Sequence, residues 1–562
     1  MATTLHAALW EHCLAAAGQI AQDHATTASL QGCGAPLVDL LRRQATQILR
    51  LDSDSGSDRT AEAEAPAQRL VARRLDDLVE LAHARFYAYP PSDVPACWRQ
   101  LYTDASILLF ALRWRSKSKG DSHKCLDDDD LDSLVRPLDL ALILAGGAGP
   151  AGRGRDWIHM AFDVMHCILE AEEADGQGND NGAEEDGEEE GEGGEGGQKR
   201  PKRPKRPRLD DSASPRVPDF SAGPFFNDDH AGMTPLSSPK TAMVVLVPPV
   251  RHPVPRSGPL GLEAFQAYLD RSGGSRREPL VLAGMLDHWP AFQRHSRPWS
   301  SPAYLRWRTL RGRRLVPVEI GRSYVDDGWT QAIVPFATVL EELQATKAAP
   351  ATTKAVGDSG SGPSPGPGPG PSPSPGPGPG PTYLAQHALF TQMPRLQSDI
   401  AIPDACYTST STSTSAAEDY DSDVDTDVLM NAWLGPPGTI TPLHTDPHHN
   451  LLAQVVGRKY VRLYAPEQTA ALRPRGREAG GVDMGNTSTV DVGAVEGWDE
   501  NEDMAGKEGE MGVEETEEAV AFRAVPYVDC ILEPGDTLYI PQGWWHYVRG
   551  LSVSFSVSFW WN

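Results

Sequence analysis

Thr441-Pro442-Leu443-His444-Thr445-Asp446-Pro447, answered near the C-terminus by Trp544-Trp545-His546, is the stretch on which the reading of this chain turns. Side chains alternate faces along a β-strand, so His444 and Asp446, two apart, emerge on the same side. His546 is remote in sequence and can join them only if its strand lies beside theirs, as in a barrel. Two imidazoles and one carboxylate leave roughly three positions open on an octahedral ion. That is the facial arrangement of a mononuclear non-haem Fe(II) centre, and it makes His444, Asp446 and His546 the candidate metal-binding and catalytic groups.

The surrounding text supports a barrel. From Val250 onward the chain reads as short β-rich runs with Pro/Gly punctuation: Pro279–Ala283, Arg314–Ile320, Lys459–Tyr464, Asp536–Ile540 and Ser552–Trp561. The last alternates Ser against Val or Phe, the mark of a strand with two different faces. Many short strands of this kind predict a jelly-roll, a double-stranded β-helix. The run Leu451–Tyr464 reads as a hairpin turning at Gly457, which places Lys459 inside the barrel. A buried ammonium needs an anionic partner, and a dicarboxylate is a natural one.

Outward from the barrel the character changes. Residues 1–172 show helical periodicity, with Val71, Leu75, Leu78, Val79, Ala82 and Phe86 on one face and charges between them. Further helices are expected at Trp98–Leu109, Leu134–Leu144 and Trp157–Leu169, with Pro137 kinking or shortening the second of these. This region reads as a partner-binding or simply packing module. Residues 173–249 are Gly/Glu-rich, then basic (Lys199–Arg208), then Ser/Pro-rich, a composition that predicts a disordered linker. Residues 250–562 are expected to form the barrel domain, with disordered insertions at about 346–381 and 475–519 that are expected to carry no chemistry. The fold class is thus α+β and multidomain, an all-α N-terminal region joined to the double-stranded β-helix.

The net charge of −26 sits largely in two acidic blocks, Glu170–Glu195 and Val495–Glu518, so it says little about the folded parts. Sequence-specific DNA binding is not expected, since no base-reading fold accompanies the basic run. That run reads instead as a nuclear localisation signal, with a cytoplasmic share allowed. Seven scattered cysteines without a CxxC pair fit a reducing compartment. No apolar run reaches membrane-spanning length and no basic leader opens the chain. A metallopeptidase would need a His-Glu-x-x-His helix, which the chain lacks. His252, His288, His387, His448 and His449 read as structural or exposed.

Taken together, Tyr383-Leu-Ala-Gln-His387, Asn431-Ala-Trp433, Gly438-Thr-Ile-Thr-Pro-Leu-His-Thr-Asp-Pro447, Gly457-Arg-Lys-Tyr-Val-Arg-Leu-Tyr464, Trp545-His-Tyr-Val-Arg549 and Phe555-Ser-Val-Ser-Phe-Trp-Trp561 resemble the JmjC branch of the 2-oxoglutarate-dependent Fe(II) oxygenases. The resemblance covers about Val250 to the end, apart from the two insertions, and more faintly Phe86–Leu109. It implies that His444, Asp446 and His546 bind Fe(II), and that Lys459, with Tyr383 and Thr441, grips the far carboxylate of 2-oxoglutarate. Asn450 would bond the chelating end, Trp560 would wall the pocket, and O2 would be the co-oxidant. A cationic side chain would meet Glu319, Trp433, Tyr324 and Trp329, although each Trp could equally be core. The substrate implied is an arginine- or lysine-containing protein segment, a histone among the candidates. Arginyl hydroxylation is the leading expectation. Demethylation of methyl-lysine on histone H3 and a non-catalytic nuclear scaffold with a vestigial barrel stand as the alternatives.

Overall fold

The computed structural model describes residues 2–22, 28–53, 61–90, 93–118, 125–180, 220, 225–226, 246–271, 277–292, 295, 297–326, 328–345, 380–409, 428–477, 483–499 and 517–562. The basic run, most of the linker around it and most of the Gly/Pro repeat lie outside these residues; the linker expected to begin at 173 starts later, since the helix Arg155–Asp180 runs past that point. The chain falls into two units, Met1–Ala141 with Ala145–Asp219, and Leu142–Leu144 with Phe220–Asn562.

The first unit is helical: α1 (Ala2–Gln22), α2 (Ala35–Ser53), α3 (Ala61–Phe86), α4 (Ala96–Ser118), α5 (Asp128–Ala145) and α6 (Arg155–Asp180). Its centre holds an ion pair with no solvent access, Arg153 Nε to Asp104 Oδ1 at 2.9 Å, flanked by Gln100. Pro137 was expected to kink or shorten its helix, yet α5 runs through it. The missing N–H at Pro137 frees the carbonyl of Ser133 one turn earlier, and Arg113 Nη1 donates to that carbonyl at 2.6 Å.

The second unit is built on two sheets. The nine-stranded sheet has the order β1-β2-β11-β8-β13-β6-β5-β3-β4 and the four-stranded sheet the order β10-β9-β12-β7. Their strands are β1 (Arg256–Ser257), β2 (Leu280–Ala283), β3 (Leu315–Ile320), β4 (Thr330–Pro335), β5 (Thr382–His387), β6 (Leu429–Gly435), β7 (Ile440–Thr445), β8 (His449–Val456), β9 (Lys459–Tyr464), β10 (Val528–Leu532), β11 (Asp536–Ile540), β12 (Trp545–Gly550) and β13 (Ser554–Trp561). From β6 to β13 the chain alternates between the sheets except at β9–β10, which gives the double-stranded β-helix anticipated from the strand pattern.

That crossing corrects the hairpin expected at Gly457. β8 and β9 are not paired with each other: β8 bonds β11 and β13, and β9 bonds β10 and β12. The turn carries the chain from one sheet to the other. Gly457 has φ +68°, and a Cβ there would lie 1.9 Å from the Val553 carbonyl oxygen, so only glycine fits.

The alternation of Ser552–Trp561 also has a physical meaning in the fold. Phe555 stacks on Trp299 at 4.4 Å, and Phe559 meets Trp289 edge-on at 5.9 Å, so the apolar face of β13 is covered by residues preceding the barrel. The serine face looks inward, where Ser556 Oγ donates to Gln454 at 2.8 Å and Ser558 Oγ accepts from Trp433 Nε1 at 3.0 Å. A sheet with a polar inner face and an apolar outer face leaves room for a polar guest inside the barrel.

The outer face of the four-stranded sheet carries Tyr460, Tyr464, Trp545 and Tyr547, packed under Leu472, Val492, Phe522 and Val525. Most of that cover comes from the segment between β9 and β10, which contains the expected insertion 475–519. Among its described residues the insertion is no loose loop: 483–499 fold onto the barrel because they carry the apolar and acidic partners its outer face requires. Glu496 pairs with buried Arg462 at 2.6 Å and Asp499 with Arg549 at 2.7 Å. Arg462 also lies 4.0 Å over the Tyr527 ring and 4.9 Å over Trp498.

Candidate metal centre and its cavity

β7 and β12 are antiparallel neighbours, and their register sets His444 directly opposite His546. The imidazole centroids are 4.2 Å apart. Asp446 lies one residue past the end of β7, where the strand has already stopped but the side chain still turns to the same side. Its carboxylate oxygens are 3.6 Å from His444 Nε2 and 3.5 Å from His546 Nε2. One ligand atom from each of the three residues falls within 4.8 Å of the others.

The tautomers follow from the backbone. His444 Nδ1 is 2.8 Å from the Pro442 carbonyl and His546 Nδ1 is 3.1 Å from the Trp544 carbonyl. A carbonyl can only accept, so each Nδ1 bears a proton and each ring turns its Nε2 edge toward Asp446. Burial, reinforced by His444, lowers the pKa of His546 to about 4 against the opposing pull of Asp446, so this ring stays neutral near pH 7. Two Nε2 edges and a carboxylate thus face one another with no donor between them, a hole that a cation fits. The N/N/O donor set suits Fe(II), and the carbonyl partners fix the ring orientations as outer-shell groups do at metal centres.

The three residues share a cavity with Tyr383, Trp433, Thr441, Asn450, Leu452, Lys459, Ile540, Val548 and Ser558. Lys459, first residue of β9, is 2% exposed. Its Nζ donates to the Tyr383 hydroxyl at 3.3 Å. Among the described residues no carboxylate lies within ion-pair distance of it, and burial lowers its pKa to about 7. The Tyr383 phenol is pushed up by burial, with the Thr441 hydroxyl opposing. Gly435 makes room for that ring, since a Cβ there would come within 2.5 Å of it. Asn450 Oδ1 is buried without a hydrogen-bond partner. An unpaired ammonium at one part of the cavity and an orphaned amide oxygen at another suit a guest that brings both a carboxylate and a donor or metal.

The remaining sequence-derived candidates fall around the cavity rather than all inside it. Trp433 lines it. Trp560 shares the inward face of β13 with Ser558 but is not among the lining residues; it stacks on His448 at 5.6 Å. Glu319 is opposite Tyr383 in the β3–β5 register. Burial raises its pKa, with the Trp329 indole opposing, and no cation lies within ion-pair distance among the described residues. Burial raises Tyr324 too, with the hydrogen bond to the Thr487 hydroxyl opposing and the Glu319 and Asp446 carboxylates adding to the rise; neither Tyr324 nor Glu319 is among the lining residues of the cavity. His448 and His449 stay out of the metal group; His449 points away from the cavity toward Arg277 at 2.8 Å and the Tyr539 hydroxyl at 3.0 Å.

Four lining residues, Leu452, Ile540, Val548 and Ser558, escaped the sequence reading. A signal existed for three of them: they stand two positions from Asn450, His546 and Trp560, on the same strand faces.

Comparison with known proteins agrees with this architecture. The cupin-like domain family model matches residues 267–562. Over 319 residues the chain is 37% identical to "Lysine-specific demethylase 8" of Danio rerio, covering 56% of this chain and 60% of that protein. It is 37% identical over 309 residues to "Lysine-specific demethylase JMJ30" of Arabidopsis thaliana, 55% of this chain and 54% of the relative. With "Jumonji C domain-containing protein 5" of Drosophila melanogaster it shares 35% over 309 residues, 55% of this chain and 60% of that one. The chain therefore spans less than two thirds of the length of these relatives. Barrel topology, the convergent His/Asp/His group and a family match over more than half of its length together make this chain a member of the cupin-like domain family, in its JmjC branch.

Proposed function

We propose that this protein is an Fe(II)- and 2-oxoglutarate-dependent oxygenase that acts on a cationic side chain of a protein segment, with arginyl hydroxylation as its reaction. The observation that carries the reading is the cavity itself: three metal-ligating groups with no donor between them, and an ammonium without a carboxylate, open into one space. His444, Asp446 and His546 would hold Fe(II). Lys459, with the Tyr383 and Thr441 hydroxyls, would receive the far carboxylate of 2-oxoglutarate, and Asn450 the end nearest the metal. When bound, the iron and the keto acid supply the oxidising power, with O2 consumed and succinate and CO2 released.

The chain's own residues orient and exclude. The lone carboxylate Glu319, uncompensated and half-buried, suits a guanidinium through paired hydrogen bonds, and the rings of Trp433, Trp329 and Tyr324 add about 0.5–2 kcal/mol through cation–π contact. Leu452, Ile540 and Val548 keep the wall of the metal cavity apolar, which strengthens the polar contacts made inside it. A second reading, demethylation of methyl-lysine, is favoured by the names of the two demethylase relatives. Product masses separate them. Peptides carrying arginine or methyl-lysine are incubated with the iron-loaded full chain: gain of one oxygen on arginine supports hydroxylation, while loss of methyl as formaldehyde with arginine untouched supports the second reading.

A further inference from the structure

Two cysteines that belong to no sequence motif meet inside the helical unit. Cys33 closes a single turn of 3-10 helix, Gln31–Cys33, between α1 and α2, and Cys97 stands in the first turn of α4. Between them in sequence lie the whole of α2 and α3. The turn is fastened to itself, with Cys33 N donating to the Leu30 carbonyl at 2.9 Å and Gly34 N to the Gln31 carbonyl at 3.0 Å. The start of α4 is held by buried Trp98, whose N donates to the Pro95 carbonyl at 3.1 Å. Cys97 packs straight onto the turn. A Cβ at Gly32 would lie 2.7 Å from Cys97 Sγ and 3.5 Å from Cys97 Cβ, so the bare glycine backbone is what gives that sulfur its place. There the two thiols share a hydrogen bond. They differ in access: Cys33 is buried and Cys97 half-buried. Burial pushes the Cys33 thiol up to about 12, and Cys97 beside it adds to the rise. Cys33 therefore stays protonated near pH 7 and is slow toward an oxidant arriving from outside.

We propose that Cys33 and Cys97 form a reversible disulfide site, oxidised by a hydroperoxide and reduced again by a dithiol. In the first step the sulfur of Cys97, the one within reach of solvent, attacks the peroxide. The O–O bond breaks, an S–OH bond forms on Cys97, and the thiol proton leaves with the alcohol or water released. The sulfur of Cys33 then attacks that of Cys97. An S–S bond forms, the S–O bond breaks, and the hydroxide departs as water with the Cys33 proton. Two electrons have passed from the sulfur pair to the peroxide. Because the two sulfurs start in contact, the second step is intramolecular and outruns capture by a second peroxide. The bond closes a covalent loop that contains α2 and α3. So long a loop takes conformational freedom from the unfolded chain, and the oxidised helical unit is the more stable form.

The test is thiol mapping by mass spectrometry on the full chain, with a chelator present to exclude iron–peroxide chemistry. After a few equivalents of hydrogen peroxide and alkylation of the remaining thiols, digestion should yield a Cys33–Cys97 cross-linked peptide. It should be lighter by two hydrogens than its two parts and be abolished by dithiothreitol. In the same samples the helical circular-dichroism melting transition should rise by about 5–10 °C on oxidation and fall back on reduction. Cys33→Ala leaves the sulfenic acid nothing to condense with, so Cys97 should take up severalfold more dimedone than in the wild type. Cys97→Ser should leave Cys33 reduced at the same peroxide dose. A wild type whose Cys33 and Cys97 both stay open to alkylation overturns the proposal. So do cross-links that pair Cys97 with Cys125 or Cys167 instead, or equal dimedone labelling with and without Cys33. The wild-type cross-link needs no variant, so it decides the matter even where a variant fails to fold.

Discussion

Lys459 concentrates the electrostatics of the site in one atom. Its ammonium is buried against Tyr383 with no carboxylate beside it, and burial alone brings its pKa down to about 7. A dianionic cosubstrate requires the charged form, so its binding raises that pKa and takes up a proton wherever the lysine was neutral. Affinity for 2-oxoglutarate should then be flat below pH 7 and fall about tenfold per pH unit above it. Calorimetry at pH 8 in buffers of different ionisation enthalpy should register uptake of close to one proton. Affinity constant from pH 7 to 9, with no proton uptake, would contradict this. Lys459→Ala removes the charge and should weaken 2-oxoglutarate binding by about 2–4 kcal/mol, roughly 30- to 1000-fold. At the other end, Glu319→Gln keeps the shape of the side chain but not its charge. It should weaken an arginyl peptide by about 1.5–3 kcal/mol, roughly 10- to 150-fold, while peptide-independent succinate formation persists; an unchanged peptide affinity would remove Glu319 from the pocket.

At the scale of elements, β7 and β12 hold the ligands because their antiparallel register sets His444 against His546, and the segment outside β7, where Thr487 bridges antiparallel to His444, keeps that strand from being an edge. Behind them, Glu496 and Asp499 neutralise Arg462 and Arg549 on the outer face. Glu496→Ala would leave Arg462 buried with an unpaired charge, at a cost of about 3–5 kcal/mol, and should lower the barrel's melting temperature by several degrees. A thermal scan in which Glu496→Ala melts with the wild type would show the pair to be unimportant. Much of this was legible in the chain. The two-residue spacing of His444 and Asp446, and the Ser/Phe alternation of Ser552–Trp561, are local consequences of strand geometry. The β8–β9 crossing was not legible, because Gly457 permits a tight turn of either kind and only the approach of the Val553 carbonyl selects one. Nor was the cover over the outer face. Its composition is acidic and Gly-rich, and its fit depends on two arginines and an aromatic surface distant in sequence. The Thr487–Tyr324 contact likewise joins residues with no shared pattern.

For the whole molecule, the described residues fall into a helical unit and a barrel unit, and the oxygenase chemistry proposed here lies in the second. Between them in sequence lies Lys199–Arg208, outside the described residues, which we propose directs nuclear import. Replacing its lysines and arginines by glutamine in a fluorescent fusion should shift the protein to the cytoplasm, and retention in the nucleus would argue against that role. The net charge of −26 makes such a concentrated basic stretch stand apart from the rest of the chain. The predictions for Lys459 and Glu319 presuppose that His444, Asp446 and His546 hold one ferrous ion beside a bound keto acid. The measurement that tests this most directly is conversion of 2-oxoglutarate to succinate by the full chain, loaded anaerobically with Fe(II) and then exposed to O2, alongside His444→Ala, Asp446→Ala and His546→Ala. The account predicts succinate and CO2 in equal amounts from the wild type and none above background from each variant; a wild type that makes no succinate, or variants that match it, would contradict it.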